Sequence, residues 1–582
     1  MVAKAKESLD GLMATEAELV TQLRTRGLVR TIADRECWPQ GSDQCALLEE
    51  LASILNSTDA PPIDLYIEEA LAELKGPRFF FVQHVLCDLI PHLNVDQEVL
   101  LGFIAHLLDA GSNDMAAGAP SSAFGEWTKK DPARSSKVYE AARAGNSPAL
   151  RQLFTVLVMN EDIEEGLLFA QAEEPEAKRI ALSALGAMEL GERYDEALNT
   201  LLQGASSNDE NTALRSIEVG YRAAAQRKTL AVVGFDEQLE RVLRARSSLA
   251  IHLAVNLLWL HRIALTENAI NLCLAAAADV DPSNADTILH LDHATYQLVG
   301  AGHVEKVICL LSKVIDRSKG QITLDAFQNT YYALQMAGAD VLGGAVVYWL
   351  LNGGTHTRQC VASEVCSVGK DDPSFSIPRL SLPPDPLDQL FLCRKAVGWF
   401  FIDPLAAVAI PLAVLRDGSP DVASDVLNLI YDPLLLSYGD KLKSYLERAV
   451  AEGGANSSSL AELLARKAAL QGAKAGIERL VELHPSEMQR EAARVQWHEQ
   501  MAPGVEQGRR KSIFENLCAK QYILYGRSSL VPIHTDGGTT RLTETKMESF
   551  SISSELPLLS IVDPVGLDHM LFHFRFEQRE QQ

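Results

Sequence analysis

Three groups of residues have side chains whose types and spacing would do chemistry if the fold brought them together. His290, Asp292 and His293 place two imidazoles and a carboxylate within one helical turn, the donor types of a zinc site. His356, Cys360 and Cys366 follow Gly353-Gly354, where a thiol near a helix start is either a metal ligand or a nucleophile activated by the helix. His534, His569 and His573, with Asp563 and Asp568 nearby, would form a carboxylate-supported metal or acid–base site if a sheet set His534 beside His569. Each group also has a purely structural explanation. The first reads as ordinary helix histidines. The second reads as Thr355 capping a helix whose packed face carries Val361 and Val365, and the third as histidines facing solvent from strands. The structural readings are adopted, so no catalytic, cofactor-binding or metal-binding residue is assigned and no cofactor is expected.

The motifs that would reverse that assignment are missing from the sequence. It has no Walker-type phosphate loop, no Gly-x-Ser-x-Gly elbow, no His-Glu-x-x-His pair and no Cys-x-x-Cys knuckle. Aromatic clusters are read as core packing against adjacent repeats, with an exposed ring as the alternative. Phe79, Phe80 and Phe81 follow Pro77, and Tyr331-Tyr332 and Tyr348-Trp349 lie in helical stretches. Helix geometry lets only part of such a cluster face the core, and an exposed ring is a binding hot spot in waiting.

The elements that must position these residues are amphipathic helices recurring from about Glu7 to about Ala519. The clearest internal echo superposes Ala177 on Ala213, Arg179 on Arg215, Ala181 on Ile217 and Leu185 on Tyr221, a repeat of 36 residues. Tyr194 to Leu202 supplies the helix between, so the unit is a helical hairpin. Val304 to Ile315 reads as another amphipathic helix, and Ser419-Pro420 opens one more with a cap and a first-turn proline. Two apolar runs, Leu249–Leu265 and Ala396–Leu415, are read as buried helices rather than membrane spans. Polar residues interrupt the first, and Asp403-Pro404 starts a new helix inside the second.

Glu174-Pro175-Glu176-Ala177 through Gly186, and Asp417-Gly418-Ser419-Pro420-Asp421-Val422, resemble the turn-plus-helix openings of HEAT-type and armadillo-like repeats. The resemblance implies a right-handed α-α superhelix, a solenoid of hairpins, whose curved inner surface binds other macromolecules.

Two stretches depart from the helical pattern. Residues 367–386 contain Pro373, Pro378, Pro383, Pro384 and Pro386 among Asp and Ser, which predicts an extended connecting loop. Beyond about Ala519 the period becomes two: Phe550 and Ile552 alternate with Ser549, Ser551 and Ser553, and Phe572, Phe574 and Phe576 alternate with His573, Arg575 and Glu577. Asp536-Gly537-Gly538 has the composition of a hairpin loop, and Leu558–Val562 forms another apolar run. The expected architecture is thus mainly α. It comprises a helical array over 1–366, a proline-rich loop over 367–386, further array over 387–519 and a small antiparallel β element over 520–582.

Composition narrows the function. The formal net charge is −24, from 77 acidic and 53 basic residues, a field that repels nucleic acid and anionic membrane and favours a protein partner with a basic surface. Arg509, Arg510, Lys511, Lys520 and Arg527 form a local basic exception, read as a solvated helix face. Nine scattered cysteines and an N-terminus without an apolar core predict a reducing, cytoplasmic setting. The expectation is a nonenzymatic protein–protein interaction scaffold or adaptor with no membrane or small-molecule ligand. The alternatives are an enzyme or enzyme subunit with a metal or acid–base site in the β element, and a nucleic-acid-binding superhelix.

Overall fold

A computed structural model describes residues 16–33, 42–57, 68–111, 118–231, 234–366, 372–453, 456–475, 486–511, 528–534, 540–546 and 557–579. Helices packed against their sequence neighbours make up nearly all of it. The chain separates into two compact units, Met1–Ala276 and Ala277–Gln582.

In the first unit, helices Ser147–Met159, Pro175–Leu185, Glu210–Gln226 and Ser248–Leu260 pack side by side in that order. Helices Ile163–Ala170, Tyr194–Ala205 and Phe235–Leu243 connect them and pack against them. Local chemistry fixes the helix starts: the side chains of Asn146, Asp162, Glu174, Asp209 and Ser247 each accept a backbone N–H from the first turn. The 36-residue echo is a packing repeat, since Ala181, Ile217, Leu185 and Tyr221 are all fully buried. Polar ties reach back about one hairpin: Arg227 donates to Gly191 O (2.8 Å), Arg241 to Ala205 O (2.6 Å) and Trp127 Nε1 to Leu93 O (2.8 Å). These donors satisfy carbonyls at turns and helix ends that no helix can satisfy itself.

The apolar run Leu249–Leu265 is the buried helix Ser248–Leu260 followed by a 3-10 turn, Arg262–Ala264. His261 sits buried between the two, and its Nε2 has no hydrogen-bond partner among the described residues. Burial, and then the nearby Arg222, hold it below the ordinary histidine value of 6.5. Below about pH 6.5 the unfolded chain takes up a proton that the folded unit resists, so His261 contributes stability above that pH and loses it as pH falls. We expect His261→Gln to flatten the acid limb of a denaturation-midpoint series run from about pH 7.5 to about pH 5, by at most about 1.4 kcal/mol per pH unit. An unchanged limb would count against the buried neutral imidazole.

In the second unit several helix starts are capped from a neighbouring helix. Asp292, on helix Ala285–Gly300, accepts from both the backbone and the side chain of Asn329 and of Thr330, at the start of helix Gln328–Met336. Asp316, at the end of helix Val304–Arg317, accepts from the Gly354 N–H (2.7 Å) and the Thr357 N–H (3.1 Å). Gly354, not Thr355, therefore occupies the cap position of helix Thr355–Val365, while Val361 and Val365 are buried on its packed face as expected.

The described part of the proline-rich loop is tied down. Phe375 and Ile377 are buried, Ser376 N–H donates to Ala339 O (3.1 Å), Arg416 to Ile377 O (3.0 Å) and Gln389 Nε2 to Pro383 O (2.9 Å). Gly343 permits the approach, because a Cβ there would lie 1.7 Å from Ser376 O. Beyond the loop, Ala396–Leu415 is two helices, Pro386–Phe400 and Pro404–Asp417, and Asp403 caps the second as expected. Among the described residues no helix is long and apolar enough to cross a membrane.

The expected small C-terminal antiparallel β element is overturned. Leu559–Val562 and Pro564–Phe576 are helices. Asp563 accepts the Gly566 N–H (3.0 Å) with Pro564 in the first turn, and this start signal prevails over the alternation of Phe572, Phe574 and Phe576. Leu567 and Leu571, four apart, supply the buried stripe. Strand pairing among the described residues is confined to one isolated ribbon, Ser528–His534 against Thr540–Lys546. Two strands bury too little to make a structural element of their own. Ser549–Ser553 and Asp536-Gly537-Gly538 lie outside the described residues.

Candidate docking surface on the C-terminal helix

Helix Pro386–Phe400 is the platform on which the C-terminal helix Pro564–Phe576 rests. Its Lys395 is fully buried, and Nζ donates to the carbonyls of Phe574 (2.8 Å), Arg575 (2.9 Å) and Glu577 (2.7 Å). A cation thus sits at the negative end of the helix dipole and satisfies carbonyls that the helix leaves open. Burial, and next the charge of Arg358, pull the Lys395 ammonium down to about 8. Arg394 grips the Glu577 carboxylate with two donors (2.8 and 2.5 Å), Arg575 Nε donates to Gly398 O (2.6 Å), and Arg579 pairs with Asp388. Gly398 is required there, since a Cβ would approach Phe574 Cβ to 2.9 Å.

Among the described residues no such covering lies on the opposite side of the C-terminal helix. Val565, His569, Phe572 and Phe576 recur at the spacing of one helical face, and Val565, Phe572 and Phe576 are 78, 62 and 45% exposed. The Phe572 and Phe576 rings lie 4.7 Å apart, and Trp399 of the platform meets Phe576 edge-on at 6.5 Å. The Arg575 guanidinium lies over the Trp399 ring at 5.6 Å. The result is a rigid helix presenting an apolar aromatic stripe at i, i+4, i+7 and i+11, the pattern by which a helix enters a partner's groove.

The sequence-derived candidates fare differently. Asp292 turns its carboxylate to Asn329 and Thr330, which explains the residue without a metal. Cys360 is raised and Cys366 is pushed up to about 12, both chiefly by burial, which disfavours the thiolate a nucleophile needs. His569 and His573 are exposed on the C-terminal helix, while His534 lies on a strand whose side chains are outside the description. The C-terminal β element in which these histidines were expected is not formed, because His569 and His573 lie on a helix. Among the described residues no group of three potential metal ligands forms. Of the aromatic clusters, Phe79, Tyr331 and Trp349 are buried, whereas Phe81 and Tyr332 are exposed.

Sequence reasoning missed the stripe because it placed Phe572 and Phe576 on a strand. The Asp563-Pro564 pair was the available signal. No protein-family model matches the chain, and no curated protein matches it. What fold and surface define is a mainly α-helical protein of packed neighbouring helices that displays an apolar helix face.

Proposed function

We propose that this protein is a nonenzymatic interaction scaffold or adaptor built from HEAT-like helical hairpins, and that it docks another protein through the outer stripe of its C-terminal helix. The observation that carries the reading is the exposure of Val565, Phe572 and Phe576 on a helix held in place by Lys395, Arg394 and Arg579. Aromatic side chains on a preorganised element give the most binding energy for the least ordering cost. Exposed Asp568 beside the stripe and a net charge of −24 suit a partner whose groove has a basic rim. Free cysteines buried as small apolar groups, such as Cys273 and Cys393, suit a reducing cytoplasm.

The experiment compares tagged full-length protein with its F572S/F576S variant as baits in the native lysate, followed by binding assays with the purified partner. We expect a protein retained by the wild type to lose at least about tenfold in affinity for the variant, from about 1.4 kcal/mol or more of lost contact. An identical bound set and equal affinities for both baits, with matching circular dichroism, would overturn the reading.

A further inference from the structure

The side-by-side helices of the first unit carry a second, independent surface. Superposing the repeat on all four aligns Ala149, Ala177, Ala213 and Ala250, each buried. The positions four and eight residues later are buried in every copy: Leu153, Ala181, Ile217 and Ala254, then Leu157, Leu185, Tyr221 and Leu258. Two residues after each alanine stands a basic residue, namely Arg151, Arg179, Arg215 or His252. That position lies roughly 160° around the helix from the middle of the buried stripe, on the solvent side. Arg151 and Arg215 are 45% exposed, and Arg179 and His252 are half-buried.

Neighbours among the last three helices of this row run the same way. Near their starts, Arg179 acts electrostatically on Asp209, and Ser247 bonds the Glu210 carboxylate. Farther along, a Cβ on Gly186 would strike Val219. Packed helices lie about 8–10 Å apart, so the cations form rungs at about that interval. A polyproline II segment has three residues per turn and rises about 3.1 Å per residue, which puts every third side chain on one face about 9 Å along.

We infer that the row Arg151, Arg179, Arg215 and His252 is a binding ladder for an acidic segment of a partner protein in the polyproline II conformation, with a carboxylate at every third residue. Arginine forks match carboxylates bidentately. Two of the rungs are held in exposed bridges that can exchange. Arg151 pairs with Asp109 (2.6 Å) and Arg215 with Glu218 (2.8 Å) across solvent-exposed bridges, and Glu218 keeps a second partner in Arg222 (3.0 Å) when Arg215 leaves. The −24 charge of the chain opposes a long polyanion more than a short acidic peptide, which favours peptide over nucleic acid.

The test is fluorescence anisotropy on the full chain with a labelled peptide of about twelve residues bearing glutamate at every third position and prolines between them to hold polyproline II. Controls are the glutamine version, an equally charged peptide with glutamates at every second position, and single-stranded RNA. We expect binding of the first peptide at low salt, loss with the glutamine version, weaker binding of the every-second version, and at least about tenfold loss in an R151Q/R179Q/R215Q variant. The matching lysine variant, which keeps the charge without the fork, should fall between wild type and the glutamine variant, which separates lost charge from lost folding. Absence of peptide binding, binding indifferent to glutamate spacing or to the glutamine substitutions, or RNA bound in preference through the same arginines would each overturn the inference. The C-terminal stripe plays no part, so F572S/F576S should bind the peptide like wild type.

Discussion

Replacing Lys395 with methionine is expected to release the C-terminal helix from its platform. The ammonium makes three hydrogen bonds to carbonyls at the end of that helix, from a position with no solvent exposure. A hydrogen bond involving a charged group is worth about 1.5–3 kcal/mol net, and methionine fills the space while supplying no donor. Two effects cap the loss: the variant no longer desolvates an ammonium, and an undocked helix end regains water. A net weakening of about 2–4 kcal/mol remains. Amide exchange in 564–576 should accelerate by about two orders of magnitude relative to Pro404–Asp417. Equal protection would show that Arg394–Glu577 and Arg579–Asp388 hold the helix unaided. The same lysine sets a pH dependence. Its ordinary value is 10.5 and burial lowers it to about 8. Between these values the released chain binds more protons than the docked one, so docking should tighten as pH rises through that window. K395M should abolish the slope.

Lys395 also shows where sequence reading stops. The repeating hairpins were legible because each helix announces itself locally, with a cap and an apolar stripe of period 3.6. Asp403-Pro404 was read correctly as a helix start inside an apolar run, and the structure has Asp403 accepting from Leu405 and Ala406. The same pair at Asp563-Pro564 is also a helix start, and the two-residue alternation beyond it masks the signal. Three phenylalanines at 572, 574 and 576 satisfy a two-residue period, yet on a helix Phe572 and Phe576 share the outer face while Phe574 turns to Gly398. Three points are too few to separate the two periods, and the capping chemistry should have decided. The docking itself leaves no local trace, since Lys395 and Glu577 are 182 residues apart. Asp292 and Asp316 illustrate the same limit within a shorter span. Each caps a helix that begins more than 30 residues later, so Asp292 invited a metal reading and Thr355 was given a cap role that Asp316 performs. The arginine ladder was half visible: the echo aligned Arg179 with Arg215, and buried alanines in the structure extend it to Arg151 and His252.

Asp292→Ala should be the most damaging single substitution in the second unit. Its carboxylate is buried and accepts from Asn329 N–H (3.2 Å), Asn329 Nδ2 (2.8 Å), Thr330 N–H (2.9 Å) and Thr330 Oγ1 (2.7 Å). Thr330 Oγ1 also contacts Thr295 Oγ1 at 2.6 Å, so one acceptor organises a polar knot between two helices. Alanine removes a helix cap, worth about 1–2 kcal/mol, and leaves buried donors unsatisfied at about 1–3 kcal/mol. Together these give about 2–5 kcal/mol, since donors at a helix start cannot find other acceptors without unpacking it. Asparagine keeps one acceptor oxygen but turns an amide donor toward other donors, so Asp292→Asn should fall between alanine and wild type. A double-mutant cycle with Thr330→Val should give a coupling of about 1 kcal/mol or more, because the residues share one network. Amide exchange over 328–336 measures this locally and does not require the whole chain to unfold in one step. A cost below about 1 kcal/mol for Asp292→Ala would mean that the start of helix Gln328–Met336 is held by its apolar contacts and that the carboxylate is incidental.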